Sequence, residues 1–469
     1  MTNASEGKVR SRKLSEVIAA QLMEEIRNRG WPVGESLGTE AELMAQFKVS
    51  RATIAEAVRQ VERYGAAVMR RGAGGGLVIT NSARAALSRT ISTYLELSNV
   101  SITEQYEAAG LIETVAAKLA ARNVTEEQAL ALRSAAADIA ASQDNPALHR
   151  SAMELRLAIA DVCGSRPVLL FMRSLARVLT HYVRPDLRTQ YRNREFEHGV
   201  IADLSGVVEA IVAGDGTLAA YHVGMDVARR EQRARELAVA QPLLEGGPLR
   251  RETPNKLAER VAYAIRDDIA RTGWRVGERL GDEAELPERY GVSQWVLRQA
   301  IRILEPSGIV SMRRGQSGGL YIGRPSPDHT IETAVSYLNA YQAEKKLSLD
   351  SYLQVRGILF QCMAQFAAKR STQEERERLL AAARDDAKSD PGEFWKSLAE
   401  MGRNQVLALF AVIVDGFIVQ NSNDAERPVD RDLRVAIAEA IRDGDAPLAQ
   451  RRVGRYWLSA ADGVDSVQD

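Results

Sequence analysis

Two short constellations in this chain have side chains suited to reading a charged, hydrogen-bonding surface. The first joins Ser50, Arg51 and Thr53 to a later Arg70-Arg71-Gly72; the second joins Ser293, Gln294 and Arg298 to Arg313-Arg314-Gly315. A hydroxyl at a helix start leaves the first-turn N–H groups pointing outward, where they can meet phosphates. Arg pairs bidentately with guanine and Gln with adenine across a major groove. Paired cations on a glycine-rich tip can enter a minor groove or lie along phosphates. Bond-making chemistry is a poor match: no nucleophile, base and oxyanion set stands out. No phosphate-binding glycine loop lies between a strand and a long helix, so neither an enzyme nor a cofactor is expected.

Both constellations sit in one fifty-residue pattern that occurs twice. Trp31–Thr80 and Trp274–Gly323 align without a gap, 243 positions apart, with 24 identities in 50. Such self-similarity marks a duplicated unit. Formal charge balances at 62 basic and 62 acidic residues, but residues 7–80 carry 12 Lys+Arg against 8 Asp+Glu and residues 251–323 carry 12 against 10. That excess permits phosphate contact without demanding it.

The elements that must position these residues are legible. Leu14, Ile18, Leu22 and Ile26 share one helix face, as do Leu257, Val261, Ile265 and Ile269. Thr39 with Glu42, and Asp282 with Glu285, start a second short helix. Ser50 and Ser293 start a third, running to about Arg63 and Glu305, where Pro306 and Gly308 close the second copy. Two short strands follow in each copy: Ala66–Arg70 with Leu77–Thr80, and Ile309–Met312 with Leu320–Ile322. Three helices and a hairpin make a winged helix-turn-helix.

The sequence here resembles the GntR family of bacterial transcription regulators. The resemblance rests on Gly34, Leu37, Glu40, Glu42-Leu43, Val49-Ser50-Arg51, Thr53, Ala57, Gly65 and Arg71-Gly72, and on most of the same positions in the second copy. It implies double-stranded DNA as partner, and contact through the residues above. Two departures matter. The family's second-helix Arg is replaced by Ala41 and Ala284. Copy one has Ala55 where copy two keeps Arg298, while copy two has Gln294 and Trp295 where copy one has Arg51 and Ala52. The copies should therefore prefer different half-sites. Trp295 is equally open to helix packing and to a DNA contact; Trp31 and Trp274 read as packing.

Residues 85–240 and 327–465 show helical periodicity with almost no strand signal. A fainter repeat persists, as in Ala210-Ile211…Asp215…Ala219 against Ala440-Ile441…Asp445…Ala449. Each segment resembles the FCD bundle of the FadR-type branch, which dimerises and binds a small effector, often a carboxylate. Many such bundles hold a metal through an Asp and three His. The aligned positions here read Ala152, Arg156, Leu204 and Asp226, then Pro391, Trp395, Arg434 and Tyr456, so no metal is expected. Arg156 is a candidate for binding an effector carboxylate directly, or for pairing with a neighbouring acid.

The expected architecture is mainly α. It comprises a winged helix-turn-helix at 8–80, a bundle at 85–240, a linker at 241–254, a second winged helix-turn-helix at 255–323 and a second bundle at 327–465. The two bundles are expected to form an internal pseudo-dimer, leaving open whether two chains pair. Two isolated cysteines, Cys163 and Cys362, argue for a reducing compartment. A polar N-terminus and the absence of a long apolar run argue for a cytoplasmic protein without a membrane partner. The functional expectation is a sequence-specific regulator, more commonly a repressor in that family. Its rival is an effector-binding or dimerisation scaffold whose readers no longer bind DNA.

Overall fold

The computed structural model describes most of residues 14–462. Outside that description lie residues 1–13, 30–33, 64–66, 71–74, 80–87, 142–147, 182–192, 241–253, 314–317, 346–348, 386–390, 422–430 and 463–469, and a few single or paired positions. Trp31, Trp274 and nearly all of the expected linker fall among them. The chain divides into two compact units, residues 1–89 with 333–348 and residues 90–332 with 349–469.

The first unit opens with α1 (Leu14–Asn28), α2 (Glu40–Phe47) and α3 (Arg51–Arg63), then β1 (Ala67–Arg70) and β2 (Gly76–Ile79). Ile18, Leu22 and Ile26 of α1 join Leu43, Ile54, Val58, Val61, Leu77 and Ile79 in one apolar core. Leu14, expected on the same face, is exposed because it is the first residue of its helix and the core lies one turn further on. Thr39 and Glu42 form a reciprocal capping box at the start of α2, and Lys48 ends it in the left-handed conformation. That turn brings Ser50 to the start of α3.

The second copy, in the second unit, repeats this as α10 (Pro254–Arg271), β3 (Arg279–Gly281), α11 (Glu285–Tyr290), α12 (Gln294–Leu304), β4 (Val310–Arg313) and β5 (Gly319–Ile322). Intervening helices are named below. Asp282 Oδ1 accepts from the N–H groups of Ala284 and Glu285, both at 2.8 Å, and so caps α11 as its counterpart Thr39 caps α2. After α12, a short 3-10 turn (Glu305–Ser307) ends at Gly308 with φ 70°.

The wings match almost bond for bond. Gly34 N donates to Ile79 O at 2.9 Å, and Gly277 N to Ile322 O at 2.8 Å. Glu62 accepts from Met69 N, and Glu305 from Met312 N, each at 2.9 Å. Gly76 (φ 127°) and Gly319 (φ 140°) lie so close to the strand before α2 or α11 that a Cβ would stand 2.7 Å from the carbonyl oxygen of Gly38 or Gly281. Only glycine tolerates both demands. That preceding segment is a third wing strand, β3, in the second copy, and a single bridge from Ser36 to Val78 in the first. The hairpin expected from sequence is thus one part of a larger sheet.

The bundles follow the same repeat. The first comprises α4 (Ile102–Asn123), α5 (Glu126–Ala141), α6 (Leu148–Val162), α7 (Arg166–His181), α8 (Arg194–Val212) and α9 (Gly216–Ala240). After α13 (Asp328–Lys345), the second comprises α14 (Asp350–Arg370), α15 (Gln373–Arg384), α16 (Pro391–Met401), α17 (Gln405–Asn421), α18 (Arg431–Arg442) and α19 (Ala446–Asp462). α9 packs on α4 and α8; its counterpart α19 packs on α14 and α18.

Within the second unit the bundles meet reciprocally: α4 touches α17, while α14, the counterpart of α4, touches α7, the counterpart of α17. This exchange is the signature of an isologous, two-fold interface. Phe171 of α7 and Phe410 of α17 stack at its centre, with ring centroids 3.9 Å apart and planes 7° from parallel. Around them Arg370 donates to both oxygens of Glu107, at 2.6 and 3.1 Å. Asn404 Nδ2 donates to Glu107 Oε2 at 3.0 Å and to the Glu104 carbonyl at 3.1 Å. Both phenyl rings are fully buried. Phe410→Ala is therefore expected to cost about 3–5 kcal/mol, checked by a lowered urea midpoint; a change within 0.5 kcal/mol would contradict so central a place.

Candidate nucleic-acid interface

In the first reader Ser50 Oγ accepts from Thr53 N at 3.3 Å and lies 2.9 Å from Thr53 Oγ1, so the serine caps α3 through its side chain. Ile54, Ala57 and Val58 of α3 are buried, while Arg51 and Ala52 are exposed. Arg51 donates through Nε and Nη2 to the two oxygens of Glu40, at 3.1 and 3.2 Å. The hydrogen bonds to Glu40 raise its guanidinium above the ordinary arginine range. Its side chain remains 78% exposed. A surface pair of this kind is worth little and can be exchanged for a phosphate or base edge. Arg70 ends β1 with its side chain exposed, whereas Arg71 and Gly72 lie outside the described residues.

In the second reader Ser293 Oγ accepts from Val296 N at 3.3 Å. Val296, Leu297, Ala300 and Ile301 of α12 face the core, and Gln294, Trp295 and Arg298 face out. Arg313 lies over the ring of Tyr321, 4.2 Å from its centroid. Arg279 Nε donates to the Gly318 carbonyl at 3.1 Å, steadying the strand that leads into β5. Arg314 and Gly315 lie outside the described residues.

The structure thus sets the polar candidates of each recognition helix together on an exposed face. Three contributors escaped sequence reasoning: Glu40 as the partner of Arg51, Tyr321 beneath Arg313, and Arg279 bracing the wing. Their signal was available, since Tyr321 and Arg279 replace Val78 and Ser36 at aligned positions that otherwise hold the same sheet.

Inside the first bundle, Arg156 is only 3% exposed. It is not held out to a ligand. Nε donates to Asp226 Oδ2 at 3.0 Å, and Nη2 donates to Oδ1 and Oδ2 at 2.7 and 2.8 Å. Arg230 Nε donates to the same carboxylate at 2.9 Å, and its Nη2 donates to Glu113 at 2.5 Å. Burial pushes the Asp226 carboxyl up, but the guanidiniums of Arg156 and Arg230 outweigh it and hold the group below the usual aspartate range. The cavity bordered by Glu113, Arg156, Leu204 and Asp226 measures about 20 Å³, room for a single water. Two cations and two anions therefore satisfy each other where the resemblance implied a metal or effector.

These residues do not fit a metal ion. Of the four aligned positions only Asp226 is a ligand type, and both its oxygens face guanidiniums. Among the described residues no cluster of three His, Cys, Asp or Glu is placed to hold one. In the second bundle Trp395 packs among Phe360, Phe394 and Tyr456, at centroid distances of 4.9, 5.2 and 4.9 Å. Burial pushes the thiols of Cys163 and Cys362 up to about 11 and 12, away from the thiolate form.

A buried ion network costs most when half of it is removed. Arg156→Met alone is expected to destabilise by about 3–5 kcal/mol, because Asp226 is left buried beside one remaining cation. Arg156→Met with Asp226→Leu should recover most of that loss, since Arg230 and Glu113 still balance. Chemical denaturation of the two variants checks this; equal losses would contradict the pairing.

Comparison with known proteins agrees with this geometry. The family profile described as bacterial regulatory proteins, gntR family, matches residues 14–76 and again 257–319, and that of the FCD domain matches 104–228. The HTH-type transcriptional repressor NanR of Cronobacter sakazakii is 33% identical over 221 residues, covering 44% of this chain and 84% of that protein. The Uxu operon transcriptional regulator of Escherichia coli is 32% identical over 160 residues, 32% of this chain and 60% of that one. The Uxu operon regulator of Haemophilus influenzae is 27% identical, covering 33% and 57%. The chain thus spans about 57–60% of the length of these two Uxu operon regulators. Among solved structures, Streptococcus agalactiae GntR aligns with 47% of this chain and 99% of its own, at 20% identity and a TM-score of 0.37. This polypeptide belongs to the GntR family of bacterial regulatory proteins, in its FadR-type branch, and carries the family's helix-turn-helix domain twice.

Proposed function

We propose that this chain is a sequence-specific, DNA-binding transcription regulator of the cytoplasm, a repressor in the commoner mode of its family, with two non-identical readers. The observation that carries the reading is the pair of serine-capped helices, α3 and α12. They share four buried apolar positions, to which α12 adds Val296 where α3 has the half-buried Thr53, and they turn different polar side chains outward. Base contacts fall to Ser50, Arg51 and Thr53 in one reader, and to Ser293, Gln294 and Arg298 in the other. Arg70-Arg71-Gly72 and Arg313-Arg314-Gly315 serve as wing contacts. The domains run as 8–80, 85–240, 255–323 and 327–465 with a linker at 241–254. The second bundle is an FCD-like copy of the first, a reading supported by helix-for-helix correspondence. Among the described residues no helix is long and apolar enough to cross a membrane.

The reciprocal contact of α4 with α17 and of α14 with α7 stands in for the dimer interface of an unfused regulator. One chain then supplies what two subunits otherwise would. A small organic acid is the expected effector class of the bundles, but not at Arg156, whose guanidinium is buried and paired with Asp226. The effector's route to DNA is short on one side, because Arg177 of α7 pairs with Glu259 of α10 at 3.4 Å. An effector can shift DNA affinity only by its preference for one arrangement over another, typically about 1–3 kcal/mol.

The test is binding to the DNA upstream of the chain's own gene by wild type, Arg51→Ala and Arg298→Ala. Loss of one bidentate base contact is worth about 1–3 kcal/mol, so each variant should bind roughly 5- to 150-fold more weakly and relax sequence preference in one half-site. Equal, non-specific binding by all three would favour the scaffold alternative instead.

A further inference from the structure

The outer face of α12 carries a large apolar side chain that α3 lacks. Trp295, second in its helix, is 55% exposed, although the next two residues, Val296 and Leu297, are buried. The aligned residue of the first reader is Ala52. A single exposed tryptophan is unremarkable by itself. Its neighbours set this one apart. At 3.6 residues per turn, Gln294 lies about 100° from Trp295 and Arg298 about 60°, so all three fall on one exposed side of the helix. On that face Arg298 falls between the other two, so the indole borders a guanidinium suited to guanine, with an amide suited to adenine beyond it.

A major groove offers donors, acceptors and one apolar group, the 5-methyl of thymine. We propose that Trp295 is a specificity-determining residue that packs against a thymine methyl group within the half-site read by the second copy. The inference rests on the DNA-reading function proposed above and deepens it. Gln294 and Arg298 supply polar recognition of the flanking bases, and Trp295 supplies the contact that distinguishes thymine from cytosine or uracil. With Ala52 at the aligned position, the first reader cannot make the same contact at that reach. The two half-sites thus differ in their apolar content as well as in their hydrogen-bond pattern.

The test uses the full chain and the duplex that wild type selects from a random pool. Each thymine of the duplex is replaced in turn by deoxyuridine, which removes the methyl and nothing else. Wild type should lose about four-fold at one position, the worth of one buried methyl group. Trp295→Ala should bind the thymine duplex at least ten-fold more weakly and bind thymine and uracil versions of that position equally. Its melting temperature should match wild type, because the side chain is exposed. Equal binding of every uracil-substituted duplex by wild type, or undiminished thymine preference in Trp295→Ala, overturns the inference while leaving DNA reading intact. Failure to select any duplex would remove the DNA-reading function and this inference together.

Discussion

Each recognition helix is held from behind and from both ends, which leaves its outer face free to vary. A serine caps its start, and its apolar residues bury against the first helix. The glutamate near its far end, Glu62 or Glu305, accepts the backbone N–H of Met69 or Met312 and ties it to the wing. These holding residues are nearly the same in the two copies. The residues that differ at the contact surface, Arg51 against Gln294 and Ala52 against Trp295, are exposed in both. After duplication, change at such positions alters what is read without disturbing what holds the reader. Surface substitutions of that kind usually shift stability by less than about 0.5 kcal/mol.

The bundles obey the opposite economy. Their shared feature is the reciprocal contact between α4 and α17 and between α14 and α7, centred on Phe171 and Phe410. Their interiors have diverged. One holds Arg156, Asp226, Arg230 and Glu113 in a closed set of ion pairs; the other holds an aromatic cluster around Trp395. Both solutions fill space and both bury charge: a matched set of four in the first bundle, and Arg434 and the Arg356–Asp415 pair beside the aromatic cluster in the second. A single polypeptide can sustain such asymmetry, whereas a homodimer applies every substitution to both bundles.

Much of this was legible in the residues. Thr39 with Glu42 announced a helix start, and the serines announced the recognition helices, because caps act over three or four positions. Short strands on either side of a glycine-rich tip announced the wing, although the further strand against which Gly319 presses was not recognised: β3 is three residues long and too short for an alternating pattern. The missing parts were interactions across distance. Arg156 finds Asp226 seventy residues away, and Arg51 finds Glu40 across a turn. Sequence spacing cannot tell a cation that awaits a ligand from one whose counter-charge arrives on another helix. The same limit hid which helices would form the expected contact between the bundles, since no local pattern marks which buried face meets another bundle and which meets its own.

The central claim is that two different readers on one chain specify an unequal pair of half-sites. It is tested most directly by selecting preferred duplexes for wild type and for a chain carrying Gln294→Arg, Trp295→Ala and Arg298→Ala, which gives α12 the outward residues of α3 at those positions. The account predicts an asymmetric best site for wild type and a nearly palindromic one for the variant. A palindrome selected by wild type, or an unchanged site for the variant, would contradict it.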